Sequence, residues 1–447
     1  MFWYIVFFIV TPVRTQRFQP EQIHLAIGDN LKEMVVMWNT PDNPKLSFVQ
    51  YGNSRSSLDR QAVGTRRVLN NGALIVSKQY VHTVRLQNLQ PNSTYWYKCG
   101  SIKGWSDVYS FVTVPEGSEW SPKVIVFGDL GLENARSAPR LQKEAESGQW
   151  NFMIHNGDIA YDLNLVLGKV GDLFMRLIEP IATLVPYMVT VGNHESFWNF
   201  SNYKTRFDMP GNEDNMMYSL KVGPALFIFL STEVYYFLEL GGISAIERQY
   251  VWLENLLIEA NLPENRKKWP WIIVFGHRPM YCSNNNIRDC SWDQTLTRVG
   301  LPISRKYGLE PLLYNYGVDL AFWAHEHSYE RMWPLYNKRV YKGSKESPYF
   351  NPRATIHITT GSAGNREKVD FFRKLLPRWS AVRNSDYGYT RLIIQNRTHL
   401  YFDMVSDDKD GAVIDEAWIV KEKHGPFPIL FPNDAYFETS SATTQSP

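Results

Sequence analysis

The chain has 447 residues, about three times the length of an average domain, so two compact units are expected and a single small binding module is excluded. Its 44% hydrophobic and 14% aromatic residues can build a sizeable core, which excludes a mostly disordered chain. Lys and Arg number 47 against 45 Asp and Glu, so no overall field draws the protein to nucleic acid or anionic membrane, and its chemistry must sit in a local site.

In chain order, the first ten residues, Met1 to Val10, are wholly apolar and are followed by Thr11, Pro12 and the basic Arg14 and Arg17. This pattern reads as a signal peptide over residues 1–18. It falls far short of the roughly 20 apolar residues of a membrane span, and no other candidate transmembrane segment follows. From Gln19 to Pro115 short alternating strands are broken by turn residues: Glu33 to Trp38, Leu46 to Tyr51, Tyr80 to Leu86, Tyr95 to Gly100 and Val108 to Val114. That is an all-β unit over 19–115, about one sandwich domain long. Its Leu89-x-Pro91-x-x-x-Tyr95-x-Tyr97 segment resembles the end of a fibronectin type III sandwich.

After Pro115, Gly117 and Pro122 the texture changes to apolar, β-branched runs: Val124 to Phe127, Phe152 to Ile154, Tyr187 to Val191, Leu226 to Leu230, Trp271 to Phe275, Leu320 to Trp323 and Ile356 to Thr359. Such runs read as strands buried on both faces. Between them Ile246, Tyr250, Leu253, Leu256, Leu257 and Ala260 mark a helix, and Val170 to Leu184 a second. Strands alternating with helices predict an α/β layered domain over 120–425, followed by an extension over 426–447. The Ser/Thr-rich tail from Thr439 to Pro447 is expected to be disordered.

Cys282 and Cys290, eight apart in a polar stretch, suit a loop disulfide in an oxidising compartment, whereas Cys99 reads as a packed thiol. Three glycosylation triplets begin at Asn92, Asn199 and Asn396. With the apolar leader they predict a secreted or lysosomal protein.

Five polar clusters directly follow predicted strands: Gly128-Asp129, Gly157-Asp158-Ile159-Ala160-Tyr161, Gly192-Asn193-His194-Glu195, Gly276-His277 and Ala324-His325-Glu326-His327. In open α/β sheets ligands bind beyond the carboxyl ends of strands, so these side chains should converge on one rim. The donors are oxygen and imidazole with no thiolate, which suits Fe, Zn or Mn. Asp129, Asp158, Tyr161, Asn193, His277, His325 and His327 are too many for one tetrahedral ion and suit two metals sharing a carboxylate.

The five blocks in this order resemble the purple acid phosphatases of the metallophosphoesterase superfamily, in the animal, high-molecular-weight branch. The resemblance implies a layered α-β-β-α catalytic sandwich preceded by the fibronectin type III-like domain. It implies that Asp129, Tyr161 and His327 bind Fe(III), that Asn193, His277 and His325 bind a divalent Fe, Zn or Mn, and that Asp158 bridges them. A metal-bound hydroxide would then attack phosphate monoesters of small molecules or proteins, with His194 binding phosphoryl oxygens or protonating the leaving alkoxide. Plant-type members carry further histidines nine to ten residues past the ligand matching His277; here Asn286 and Ile287 stand there, so Arg278 or the Asn284 to Asn286 run is the candidate substitute. Glu195 and Glu326 read as partners of the ligands rather than as ligands, and His155 as a packing residue. The alternatives are a phosphodiesterase acting on nucleotides or lipids, and a catalytically silent extracellular binding protein.

Overall fold

The computed structural model describes residues 17–69, 78–211, 214–286 and 295–428. The leader expected over 1–18 falls almost wholly outside the described residues, as do Cys290 and the tail from Thr439 to Pro447.

The N-terminal part is two antiparallel sheets packed face to face. One orders its strands Glu21–Ile27, Met34–Thr40, Tyr80–Leu86 and Thr65–Val68; the other is built on Arg60–Val63, Phe48–Gly52 and Thr94–Ser101, with Tyr109–Val112 paired to the last. Trp38, Tyr95, Tyr97 and Phe111 fill the space between them. The Leu89 to Tyr97 resemblance has a physical counterpart, since the Gln90 N–H donates to the Tyr95 hydroxyl (2.9 Å) and closes that corner. The Glu21–Ile27 strand was not among the strands read from the sequence; six of its seven residues are buried, Gln22 and His24 included.

The larger part has two sheets with helices outside them. A six-stranded sheet runs Tyr187–Thr190, Phe152–Asn156, Lys123–Phe127, Gly388–Ile393, His399–Ser406, Ala412–Val420. Its first three strands are parallel, and the strand Lys123–Phe127 pairs antiparallel with Gly388–Ile393, far along the chain. A seven-stranded sheet runs Tyr218–Val222, Ala225–Phe229, Trp271–Phe275, Leu320–Trp323, Ile356–Thr360, Tyr329–Met332, Ser380–Asn384. Phe152 of the first sheet meets Phe227 of the second edge-on (5.4 Å), and Phe227, Phe275 and Phe322 stack in series behind it. Leu226, Ile228, Ile272 and Val274 point the other way, onto the helix Gly242–Ala260, while the helix Lys169–Ala182 packs on the first sheet through Phe174 and Ile178. The central strands are therefore buried on both faces, which is why they lack alternation. This is the expected α-β-β-α layering.

The two parts share one core: Ala26, Ile27, Val35 and Met37 pack with the first large sheet. Glu21 pairs with Arg176 through two hydrogen bonds (3.0 and 2.9 Å), and the buried Arg206 bonds both Asp172 (2.8 Å) and Gln22 (3.0 Å). Among the described residues no helix is long and apolar enough to cross a membrane.

Candidate metal centre

Each predicted donor lies just beyond the carboxyl end of its strand. Asp129 follows Lys123–Phe127, Asp158 follows Phe152–Asn156, Asn193 follows Tyr187–Thr190, His277 follows Trp271–Phe275, and His325 and His327 follow Leu320–Trp323. The side chains converge in two adjoining groups. In one, the Tyr161 hydroxyl lies 3.1 Å from Asp129 Oδ1 and 2.6 Å from His327 Nε2. In the other, His277 Nε2 lies 3.2 Å from each of Asn193 Oδ1, His325 Nδ1 and Asp158 Oδ2. Asp158, His277 and His325 can offer their donor atoms to a single ion.

The surroundings fix which atom each ligand presents. Nδ1 of His277 lies 3.0 Å from the carbonyl of Asn156, and Nδ1 of His327 lies 2.8 Å from that of Lys368, so each donates there and keeps Nε2 for the centre. The Asn156 amide donates to the carbonyls of Gly276 (2.6 Å) and Phe322 (3.1 Å), locking three strand ends together. Glu195 accepts from the N–H groups of Asp158 (3.0 Å), Ile159 (2.9 Å) and Gly192 (2.9 Å), the partner role expected of it. Four of the seven donors, Asp129 (φ 57°), Asp158 (φ 50°), Tyr161 (φ 56°) and His325 (φ 67°), hold left-handed backbone, a strain that proteins concentrate at functional sites.

The electrostatics suit cations. Burial opposes ionisation of Asp158, yet His277, His194 and His325 hold its carboxyl well below the usual range. Burial, with Asp129 and Asp158 adding to it, pushes the Tyr161 phenol well above its ordinary value. A multivalent cation between Asp129, Tyr161 and His327 would reverse that penalty, so the oxygen and imidazole donors present fit metal ions. Against burial, which would lower it, Asp158 and Asp162 raise His194 to about 9. Its ring packs on Tyr161 (4.3 Å between centroids), and Nδ1 donates to Asp162 (2.9 Å). Nε2 is left facing inward, 3.9 Å from Asp158 Oδ2.

Several residues the sequence reading missed complete the rim. Glu233 is fully buried and binds Arg278 Nε through both oxygens (3.2 and 3.0 Å). The Arg278 guanidinium lies over Tyr236 (4.4 Å), with Nη1 2.9 Å from His325 Nε2. Glu233 follows the strand Ala225–Phe229, so the positional rule that located the donors also covers it. Asp370 accepts the His327 N–H (2.8 Å), and Arg366 pairs with Asp162 (2.7 Å); both lie after the last ligand block, in a stretch without a strand-end signature. Asn284 is buried and donates to Glu326 (2.6 Å), which turns it away from the substitute role considered for its run. His155 packs and bonds Tyr187 (2.8 Å), as expected. Arg331 pairs with Asp415 (2.7 Å) from within the strand Tyr329–Met332, just past the last ligand block.

Comparison with known proteins agrees with this geometry. Residues 20–113 match the purple acid phosphatase N-terminal domain, residues 122–329 the calcineurin-like phosphoesterases, and residues 354–416 the iron/zinc purple acid phosphatase-like protein C domain. The chain is 49% identical to acid phosphatase type 7 of Mus musculus over 90% of its length and 91% of that protein's, and 48% identical to that of Homo sapiens over 91% and 92%. It belongs to the purple acid phosphatases. A purple acid phosphatase from yellow lupin (Lupinus luteus) seeds shares the fold, with a TM-score of 0.75 at 24% identity over 90% of this chain and 75% of that one. As a purple acid phosphatase of the animal type, the protein is a metal-dependent acid phosphatase with a dinuclear centre and phosphorylated substrates. The phosphodiesterase and silent-binder alternatives are not favoured.

Proposed function

We propose that this phosphatase works on phosphate monoesters outside the cytosol with Fe(III) held by Asp129, Tyr161 and His327, and a divalent Fe, Zn or Mn held by Asn193, His277 and His325. Asp158 is shared between them. The observation that carries this reading is the division of donors into an anionic group around Tyr161 and a largely neutral group around His277. When bound, the metals supply Lewis acidity and a nucleophilic hydroxide in acid surroundings. The protein supplies the rest. His194, oriented by Asp162, presents Nε2 to the centre and is charged in acid, so it can hold a phosphoryl oxygen or give its proton to the leaving alkoxide. Arg278, braced by Glu233 and Tyr236, stands where a second cation can meet the phosphate.

The triplet asparagines Asn92, Asn199 and Asn396 are all exposed, in keeping with glycosylation of a secreted or lysosomal protein, and a Cys282–Cys290 disulfide belongs to the same proposal. Enzymatic deglycosylation followed by mass measurement tests those three sites.

The decisive experiment is optical. Tyrosinate bound to Fe(III) absorbs visible light, so the purified protein should be coloured and contain iron, and Tyr161→Phe should lose the band. A colourless, iron-free protein that cannot be loaded with metal sinks the Fe(III) assignment.

A further inference from the structure

Three segments that carry exposed apolar side chains adjoin residues of the metal centre along the chain. Val166 and Leu167 follow Asp162, the carboxylate that orients His194. Trp198 follows the Asn193–Glu195 turn and is 63% exposed. Phe371, Leu375 and Leu376, at 66%, 82% and 55% exposure, follow Lys368, whose carbonyl holds His327. The segments are tied to one another and to the site. Arg366 pairs with Asp162 (2.7 Å), Glu367 lies 3.7 Å from His194, and the Asn285 N–H donates to the Phe371 carbonyl (2.8 Å). Val166 (φ 52°), Leu167 (φ 58°) and Trp198 (φ 49°) all hold left-handed backbone, a conformation disfavoured for bulky and β-branched residues, while presenting their side chains to water.

The same rim is locally cationic although the whole chain is nearly balanced. Lys368, Arg373, Lys374 and Arg378 stand against Glu367 and Asp370 in that stretch, with Arg366 already paired to Asp162. Apolar tips interleaved with Lys and Arg match a surface that settles on an anionic bilayer, apolar groups at the acyl boundary and cations among headgroups.

We infer that this rim docks on an anionic lipid surface and delivers lipid phosphomonoester headgroups to the metal centre. The delivered chemistry rests on the phosphatase reading; the docking does not. The test is co-sedimentation of the full chain with vesicles of phosphatidylcholine alone and of phosphatidylcholine mixed with phosphatidylserine. In parallel, hydrolysis of a soluble aryl phosphate and phosphate release from phosphatidic acid vesicles are measured.

Binding to the mixed vesicles only, weakened by salt, is expected. The double variant Leu375→Ser, Leu376→Ser should lower that binding about tenfold or more and slow phosphate release from phosphatidic acid while leaving aryl phosphate turnover unchanged. Two results overturn the docking: equal sedimentation of wild type and variant, or no sedimentation with either vesicle by a protein that still turns over aryl phosphate. So does concentration-dependent dimerisation through the same leucines without vesicle binding, since the patch then serves a second copy. Loss of aryl phosphate turnover in metal-loaded wild type tells instead against the phosphatase reading.

Discussion

At the scale of single residues, the convergence of the seven candidate donors was legible because each follows an apolar strand; singly such residues have ordinary uses in turns and packing, and their order carries information that no one of them does. What surrounds them was less legible. Arg278 was one of two candidates until the structure showed Asn284 engaged with Glu326 and Arg278 fixed by Glu233 beside His325. Its charge should act on phosphate binding. Arg278→Ala is expected to raise KM about ten- to a hundredfold with a smaller change in kcat, the scale of a charge-assisted hydrogen bond; steady-state kinetics at fixed metal content checks this, and an unchanged KM contradicts it. A second residue outside the centre bears on the acid environment. His82 sits buried between the hydroxyls of Thr40 (2.8 Å) and Ser47 (2.7 Å), stacked on Trp38, and burial lowers it from 6.5 to about 3. It is neutral when folded but takes up a proton in the unfolded chain below 6.5, so the unfolded state binds more protons there. Its contribution to stability is complete above pH 6.5 and is lost as pH falls from 6.5 towards 3, at about 1.4 kcal/mol per pH unit. Thermal melts across that window should fall, and His82→Gln should flatten the slope whatever it does to the absolute melting temperature.

At the scale of elements, length and composition separated the all-β part from the layered part because buried parallel strands read as continuous apolar runs. The last four strands, from Ser380–Asn384 to Ala412–Val420, were not read as strands. Ala412–Val420 carries Asp415 and Glu416 in its middle and buries only Ile419 fully, so its apolar residues do not form the continuous run that marked the other strands; it is held there by pairing with His399–Ser406. The turns after the strands are equally specific. Gly157 holds φ at 84°, and a Cβ there would come within 2.4 Å of His277 Nδ1. Gly157→Ala therefore has to move the His277 ring or the turn. The expected outcome is a stability loss of about 1–3 kcal/mol and a fall in bound divalent metal. Elemental analysis beside a denaturant titration measures both, and wild-type metal content would contradict it. Gly128 is required for another reason, since a Cβ there would meet the Ala324 methyl at 2.4 Å.

At the scale of the whole molecule, the two parts are joined by buried charge as well as by apolar packing. Arg206 is 2% exposed, and its guanidinium bonds Asp172, Gln22 and the Gly168 carbonyl (3.0 Å), linking the helix Lys169–Ala182 to the first strand of the N-terminal part. Neither residue stood out in the sequence, because an ion pair between positions 34 apart leaves no local pattern. Arg206→Met should cost about 3–5 kcal/mol by stranding Asp172 in a dry interface. Asp172→Asn in the same background should recover part of it, as equilibrium unfolding can measure.

One pairing in the first large sheet also fixes when the centre can exist. All seven donors have been synthesised by the time His327 leaves the ribosome, yet the strand beside Asp129 gains its antiparallel neighbour only with Gly388–Ile393. Until then Lys123–Phe127 is open on that side during translation, and the turn carrying Asp129 is held in register only from the side of Phe152–Asn156. The sheet that carries Asp129, Asp158 and Asn193 at its strand ends is thus completed only from the far end of the chain. A product stalled after His327 would carry every candidate donor on a sheet lacking its last three strands.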